Sequence, residues 1–518
     1  MKFLHLIVTV CIVCFGGLND TRADVYYVNA ESGMDSNEGT SREKAWASLK
    51  KINEQVFKPG DKILLAASSR FIGQLEPKGS GTASAPIRLD CYGKGPNPAI
   101  DGQGKAPHTL LLYNVEYWEV RNLEITNKGK EKKARRRGVI VKAYNFGDCH
   151  HIVLEGLEIH DVNGSPIKKK GGGSGILWSN GGDKIKTRFI DLQILNCHIH
   201  HCQRNAINSR GNINRDKWHP SLKVVIRGNL IENVPGDGIV PLGTEGALIE
   251  YNVIRKGVDS LPSSEAAAGI WPWSSDRTLI QFNEVSDHRA KWDGQGLDAD
   301  FNCIGTTIQY NYSYDNWGGF LLVCNKGESY GSPTNIGTKD TVIRYNLSLN
   351  DGIRPYEARN NRFFSPIFHV SGPVENTRID HNIIIMPQKP NAKIENTLFE
   401  AGNWGGSFPK KTQFTENIVR NPHVPKIDWG KSKKVIEGKN DIGQDFPFDE
   451  RNPLKILFHF ENHPIFKGKK DFQILRKFID YRLRNPDAGF AKPDKPQPAN
   501  NIEPTNINNE SRLRKDGS

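Results

Sequence analysis

Short apolar runs alternate with polar turns along most of this chain, and one phrase keeps returning: an aromatic or polar residue, usually Asn, then a brief apolar strand. It reads Arg121-Asn122-Leu123-Glu124-Ile125, Leu195-Asn196-Cys197-His198-Ile199, Gly228-Asn229-Leu230-Ile231 and Tyr251-Asn252-Val253-Ile254. It continues through Phe282-Asn283-Glu284-Val285, Tyr310-Asn311-Tyr312-Ser313, Tyr345-Asn346-Leu347-Ser348, His381-Asn382-Ile383-Ile384 and Glu416-Asn417-Ile418-Val419. With Gly156 in the same role, the steps run from 23 to 40 residues. Recurrence on this scale marks a stacked solenoid, in which each unit buries its apolar face only against its neighbours. The runs are short and β-branched, and Gly, Asn and Asp bound them, so the units are strands and turns, not helix pairs. Asn tolerates a left-handed corner, and such side chains can stack into a hydrogen-bonded ladder. The expected fold is all-β: a parallel β-helix of about ten coils.

A second strand follows each Asn-strand after a loop of variable length. These read Gly175-Ile176-Leu177, Ala206-Ile207-Asn208, Gly238-Ile239-Val240, Gly269-Ile270-Trp271, Gly296-Leu297-Asp298 and Gly319-Phe320-Leu321. If the Ile or Leu points inward, alternation turns the next residue and the one two further on outward. Those outward positions include Asn208 and Arg210, Trp271 and Trp273, then Asp298 and Asp300. Two carboxylates thus project from one strand beside two tryptophans of the preceding coil, about 4.8 Å away. Loops entering these strands add Glu265, Asp287, His288, Lys291, Asp293, Arg354 and Glu357, and functional groups concentrate on loops held by rigid scaffolds.

The ends differ from the middle. Met1-Lys2-Phe3, a short apolar run and Thr21-Arg22-Ala23 read as a signal peptide, residues 1–23, which makes the protein exported: secreted, periplasmic or cell-surface. Residues 24–105 form an N-terminal cap and first coils, with a helix expected over 42–55 that presents Trp46, Leu49 and Ile52 to the open end. Residues 106–425 form the β-helix catalytic domain, and 426–491 a segment covering the far end. The tail, 492–518, is rich in Pro, Asn, Glu and Lys and reads as disordered. No later segment is apolar enough to span a membrane.

The formal charge is +12, which favours anionic partners such as uronate-bearing or sulfated glycans. Much of it sits in two runs, 128–137 and 168–173, read as solvated loops, the alternative being remote subsites for an anionic glycan. Nucleic acid fits an exported chain without a binding motif poorly. Outside the leader, six cysteines show no metal spacing; Cys197 with Cys202 or Cys303 with Cys324 could be disulfides or stacked free thiols. Oligomeric state is not legible.

Tyr27-Val28-Asn29 through Gly60-Asp61, Pro98-Ala99-Ile100-Asp101-Gly102 and the repeated coils resemble the right-handed parallel β-helix (pectin-lyase-like) superfamily of secreted carbohydrate-active enzymes, which includes pectate lyases, polygalacturonase-type hydrolases and chondroitinase B. The resemblance implies a right-handed helix acting on a polysaccharide or oligosaccharide. In the favoured reading, a cofactor-free glycoside hydrolase, Asp298 and Asp300 form the acid/base pair. Asp293 or His288 assists, Trp271 and Trp273 make a sugar subsite, and Lys291, Arg210, Arg354 and Glu265 bind substrate. Alternatively, a polysaccharide lyase would hold Ca²⁺ on Asp293, Asp298 and Asp300, with Lys291 or His288 as base. A non-catalytic glycan-binding β-helix is the third reading. Residues 258–268 are a candidate cover for the tryptophans.

Overall fold

The computed structural model describes residues 23–327, 334–358, 362–388, 393 and 395–487. The expected leader, apart from residue 23, and the expected tail lie outside the described residues. The named strands pair only in parallel and stack coil upon coil into three faces. The first sheet runs from Val25–Val28 to Ile436–Gly438, and the second stacks thirteen strands from Arg70–Ile72 to Asp441–Gly443. Thirteen coils thus replace the ten or so expected, because the outer coils lack the Asn phrase. The third face is split into two five-stranded pieces, His108–Tyr113 to Ile239–Val240 and Leu297–Ala299 to Lys426–Asp428. Between them the ladder continues through single bridges, Ile239 to Ile270, Leu242 to Trp273 and Ile270 to Leu297. Pro272, which has no N–H to give, sits at this break.

Inward alternation fills the bore. Ile226, Ile249, Ile280, Ile308, Ile343 and Ile379 occupy one register column and are fully buried. β-branched side chains suit this stack because they pack well on pleated surfaces with little rotamer freedom to lose.

The Asn ladder forms as expected, and at Asn122 and Asn196 the Asn is also the left-handed corner, φ 53° at both. In the later coils the left-handed residue is the one before Asn: Tyr251, Phe282, Tyr310, Tyr345, His381 and Glu416 all have φ between 51° and 56°. The Asn itself is buried and donates from Nδ2 to the next Asn Oδ1, as in Asn283 to Asn311 and Asn311 to Asn346, both 3.0 Å. Asn311 also caps two carbonyls, Ile280 and Gln309, at 3.0 Å each. Replacing Asn311 by Ala strands the buried amide groups of its neighbours. We expect about 2 kcal/mol of destabilisation, read as a lower urea midpoint with an unchanged m-value.

Two elements depart from expectation. The N-terminal helix spans only Leu49–Glu54. Trp46 is buried but lies before it, bridged to Val28, its N–H donating to the Tyr27 carbonyl at 2.9 Å; strand pairing wins over helix there. Leu49 and Ile52 do enter the core. Near the other end, helices Pro453–Phe460 and Lys470–Arg484 lie along the outside of the second sheet. Their Phe460, Phe472, Leu475 and Phe478 pack on the stacked Phe282, Tyr310 and Tyr345. The aromatic residue preceding each Asn therefore builds a second, external core. No described helix is long and apolar enough to cross a membrane. The six described cysteines are free thiols, five of them buried.

Candidate active site

The break in the third face is where the chemistry collects. Ile270, Leu297 and Leu321 share the inward column, which turns Trp271, Asp298 and Leu322 outward in one line and Trp273, Asp300 and Cys324 in the next. The next coil is one residue out of step with the sequence reading: Leu321, not Phe320, pairs with Leu297. The extra residue is absorbed at Gly318 and Gly319, the latter with φ 109°. A Cβ on Gly318 would sit 1.9 Å from the Asp293 carbonyl oxygen, so only glycine lets this turn pass under the Asp293 loop.

The resulting cleft encloses ≈120 Å³ between Asp293, Asp298, Asp300, Phe301, Trp271, Trp273, Lys168 and, from further coils, Cys324 and Trp404. Ala266, Ala267 and Ala268, part of the expected cover, complete the wall. Trp273, Phe301 and Trp404 form an aromatic run, with centroids 4.8 Å and 6.4 Å apart. Trp271 is tucked deeper. Its Nε1 donates to Asp237 at 3.0 Å and the Lys168 ammonium lies 4.7 Å from its ring. The sugar platform expected on Trp271 therefore shifts toward Trp273 and its neighbours.

The three aspartates are not equivalent. Asp298 lies deepest and its Oδ1 has no hydrogen-bond partner. Burial, then the charges of Asp300, Asp293 and Asp237, push its carboxyl well above the usual range. Asp300 reaches the rim. Burial raises it to about 7, against hydrogen bonds from the Cys324 thiol at 3.0 Å and the Phe301 N–H at 2.7 Å. Asp293 is also part-exposed and enters the cleft from the strand pair it makes with Ala267. For Asp237, burial opposes the charge, but Arg204, Lys168 and the Trp271 donor outweigh it and hold the carboxyl below its ordinary value. Separated proton affinities among neighbouring carboxyls are the requirement for paired acid and base roles.

Five other expected residues do not line the cleft. His288 is buried behind the cleft, its Nε2 3.0 Å from the Gly236 carbonyl, and burial lowers its pKa to about 4. It is a neutral packing group that ties two coils together. Lys291 pairs with Asp259 at 3.3 Å and covers Tyr356, outside the cleft lining. Arg354 is buried and donates to the carbonyls of Ala290, Lys291, Asp293 and Phe364; it shapes the loop that carries Asp293. Glu265 accepts from the Lys168 N–H at 2.9 Å and from Arg204 at 3.4 Å. It anchors a loop. Arg210 is exposed on the wall of an adjoining cavity.

The basic runs are only partly solvated loops. Lys168 folds back over Trp271, and Arg136 and Arg137 are buried. Lys168 and Trp404 are cleft residues that local pattern misses; Trp404 follows a strand three coils beyond the one that carries Asp298 and Asp300. The three aspartates do not form a metal-like cluster. Among the described residues, the group whose ligand atoms lie within 4.8 Å of one another is Glu158, His198 and His200, on the outer face of the second sheet.

The family description "Right handed beta helix region" matches residues 174–372, the coils that carry the cleft. A solved GH136 lacto-N-biosidase from Eubacterium ramulus superposes with a TM-score of 0.60, covering 81% of this chain and 68% of that one. This chain is a right-handed parallel β-helix. Identity to that structure is 24%. The lacto-N-biosidase of Bifidobacterium longum subsp. longum is 26% identical over 469 residues, 72% of this chain. The match spans only 28% of that relative's length.

Proposed function

We propose that the cleft hydrolyses a glycosidic bond in an oligosaccharide or polysaccharide. The observation that carries this reading is Asp300: a rim carboxyl whose pKa of about 7 keeps much of it protonated near neutrality, next to an aromatic run that suits sugar rings. A protonated carboxyl at a sugar site is what departure of an alcohol leaving group requires. Asp300 donates that proton. Asp293, the other carboxylate reaching solvent, acts on the anomeric side as nucleophile or as base toward water. Asp298, expected from the sequence to be half of the pair, is buried beneath the rim, and burial and its acidic neighbours push its carboxyl well above the usual range. It is a positioning group beneath the other two. This scheme uses no cation. The resemblance to lacto-N-biosidases supports hydrolysis over elimination, and export through the leader would bring the enzyme to extracytoplasmic glycans.

The test is incubation of the protein with plant, algal and host glycans. New reducing ends and the ultraviolet absorbance of unsaturated uronates are followed together, with and without a chelator. Reducing ends without that absorbance, unaffected by chelator and lost in Asp293→Asn, are the expected result. Absorbance that disappears with chelator would replace this reading with the lyase, and tight binding without turnover with the glycan-binding module.

A further inference from the structure

A second cavity of ≈130 Å³ adjoins the cleft and shares Lys168, Asp237 and Trp271 with it. Its charges do not balance. Four cations line it: Arg137, Lys168, Arg204 and Arg210. Arg204 is matched by Asp237 at 2.6 Å and Glu265 at 3.4 Å. The other three have no carboxylate at ion-pair distance among the described residues. Arg137 is the telling one. It is 3% exposed, one Nη donates to the Gly171 carbonyl at 3.0 Å, and its Nε has no partner. Burial and the like charges of Arg210 and Arg135 lower its pKa to about 10.

A buried guanidinium without a counter-charge is costly unless something supplies the missing anion. Its planar fork matches the oxygens of a carboxylate or a sulfate. We propose that this cavity binds the carboxylate or sulfate of the sugar unit adjoining the scissile bond, with Arg137 at the base, Arg210 at the rim and Lys168 at the border with the cleft. The assignment rests on the cleft being the place of glycan cleavage. It makes the enzyme selective for an anionic glycan.

Calorimetric titration of sodium sulfate and of sodium glucuronate into the intact protein, at constant chloride, tests the cavity directly. Saturable binding of at least one anion is expected, weakened about 10- to 100-fold in Arg210→Glu, the size of a lost charge-assisted hydrogen bond. The two salts tell a sulfate site from a carboxylate site. Arg210 is exposed and unpaired, so this variant should fold even if Arg137→Gln does not. In parallel, kcat/KM is compared on matched oligosaccharides that differ only in a sulfate or a uronate. A preference for the anionic member that collapses in Arg210→Glu supports the assignment. Equal rates on neutral and anionic members, or no binding of either salt, would overturn it and leave the hydrolase reading intact. Anion binding without cleavage of any glycan would sink the hydrolase reading instead and leave the cavity assigned.

Discussion

Asp300→Asn should lower kcat by about 10³-fold, within the range that positioned proton transfer contributes, while leaving the protein as stable as before or more so. The rate effect follows from the role of Asp300. An amide cannot donate a proton to a departing alcohol and then recover it, so the loss falls on kcat rather than KM. A substrate with a leaving group acidic enough to depart unprotonated should recover much of the rate. The pH profile carries the sign. Asp300 is useful while protonated, and its pKa is about 7, so wild-type activity should fall as pH rises through about 7, and the variant should lose that limb. Wild-type stability falls with rising pH as well, for a separate reason. The folded carboxyl is raised from its ordinary value to about 7. Between those two values the native state holds a proton that the unfolded chain has released, so stability falls as pH rises across that window. Asn has no such proton to lose. Its melting temperature near pH 7 should therefore match or exceed that of the wild type, measured by scanning calorimetry. A large drop in melting temperature would instead mean that Asp300 is structural and that the rate loss reports damage.

The strand that carries Asp298 and Asp300 was legible because alternation is local. Once Leu297 is inward, Asp298 and Asp300 must face out, and stacking sets them beside the outward Trp271 and Trp273. The same reasoning slipped by one residue at Phe320, because two adjacent glycines absorb an extra residue without leaving a mark on the hydrophobic pattern. Everything that depends on the reach of a loop was beyond local pattern. Lys168 sits in a basic run that looks solvated, yet it folds back over Trp271. Trp404 arrives from a later coil. His288 and Arg354 have the residue types of a catalytic loop, but their side chains turn into the scaffold to bond carbonyls. Composition says which groups a loop owns; only packing decides which of them meet the cleft. The aromatic residue before each Asn is a comparable case. It reads as a turn residue, but its left-handed backbone presents its ring to the C-terminal helices.

Arg204→Met should destabilise the protein by about 4 kcal/mol, the cost expected when one partner of a buried ion pair is removed. Arg204 is 1% exposed and donates to the Asp237 carboxylate at 2.6 Å, to Glu265 at 3.4 Å, to Asn205 at 2.8 Å and to the Ala266 carbonyl. Met fills much the same volume, so little of the loss comes from a cavity. It comes from leaving Asp237 and Glu265 uncompensated in the wall that separates the two cavities. Two controls distinguish this account from simple misfolding. First, Arg204→Met combined with Asp237→Asn should recover part of the loss, because the orphaned charge is then gone. Second, the deficit should depend on pH. In the wild type the Asp237 carboxyl is held below its ordinary value, so its ion pair contributes above the ordinary carboxylate range and fades as pH falls through the folded pKa. Without Arg204 the carboxyl can take up a proton instead. The gap between wild type and variant should be widest near pH 7 and shrink toward about pH 4, measured as urea midpoints across that range. A gap independent of pH would mean that Arg204 acts through packing alone. The variant also links scaffold to chemistry, because Asp237 holds Trp271 in place and its charge bears on Asp298. Arg204→Met should therefore disturb the pH profile of cleavage as well as the fold, whereas Asn311→Ala, remote from the cleft, should change only stability.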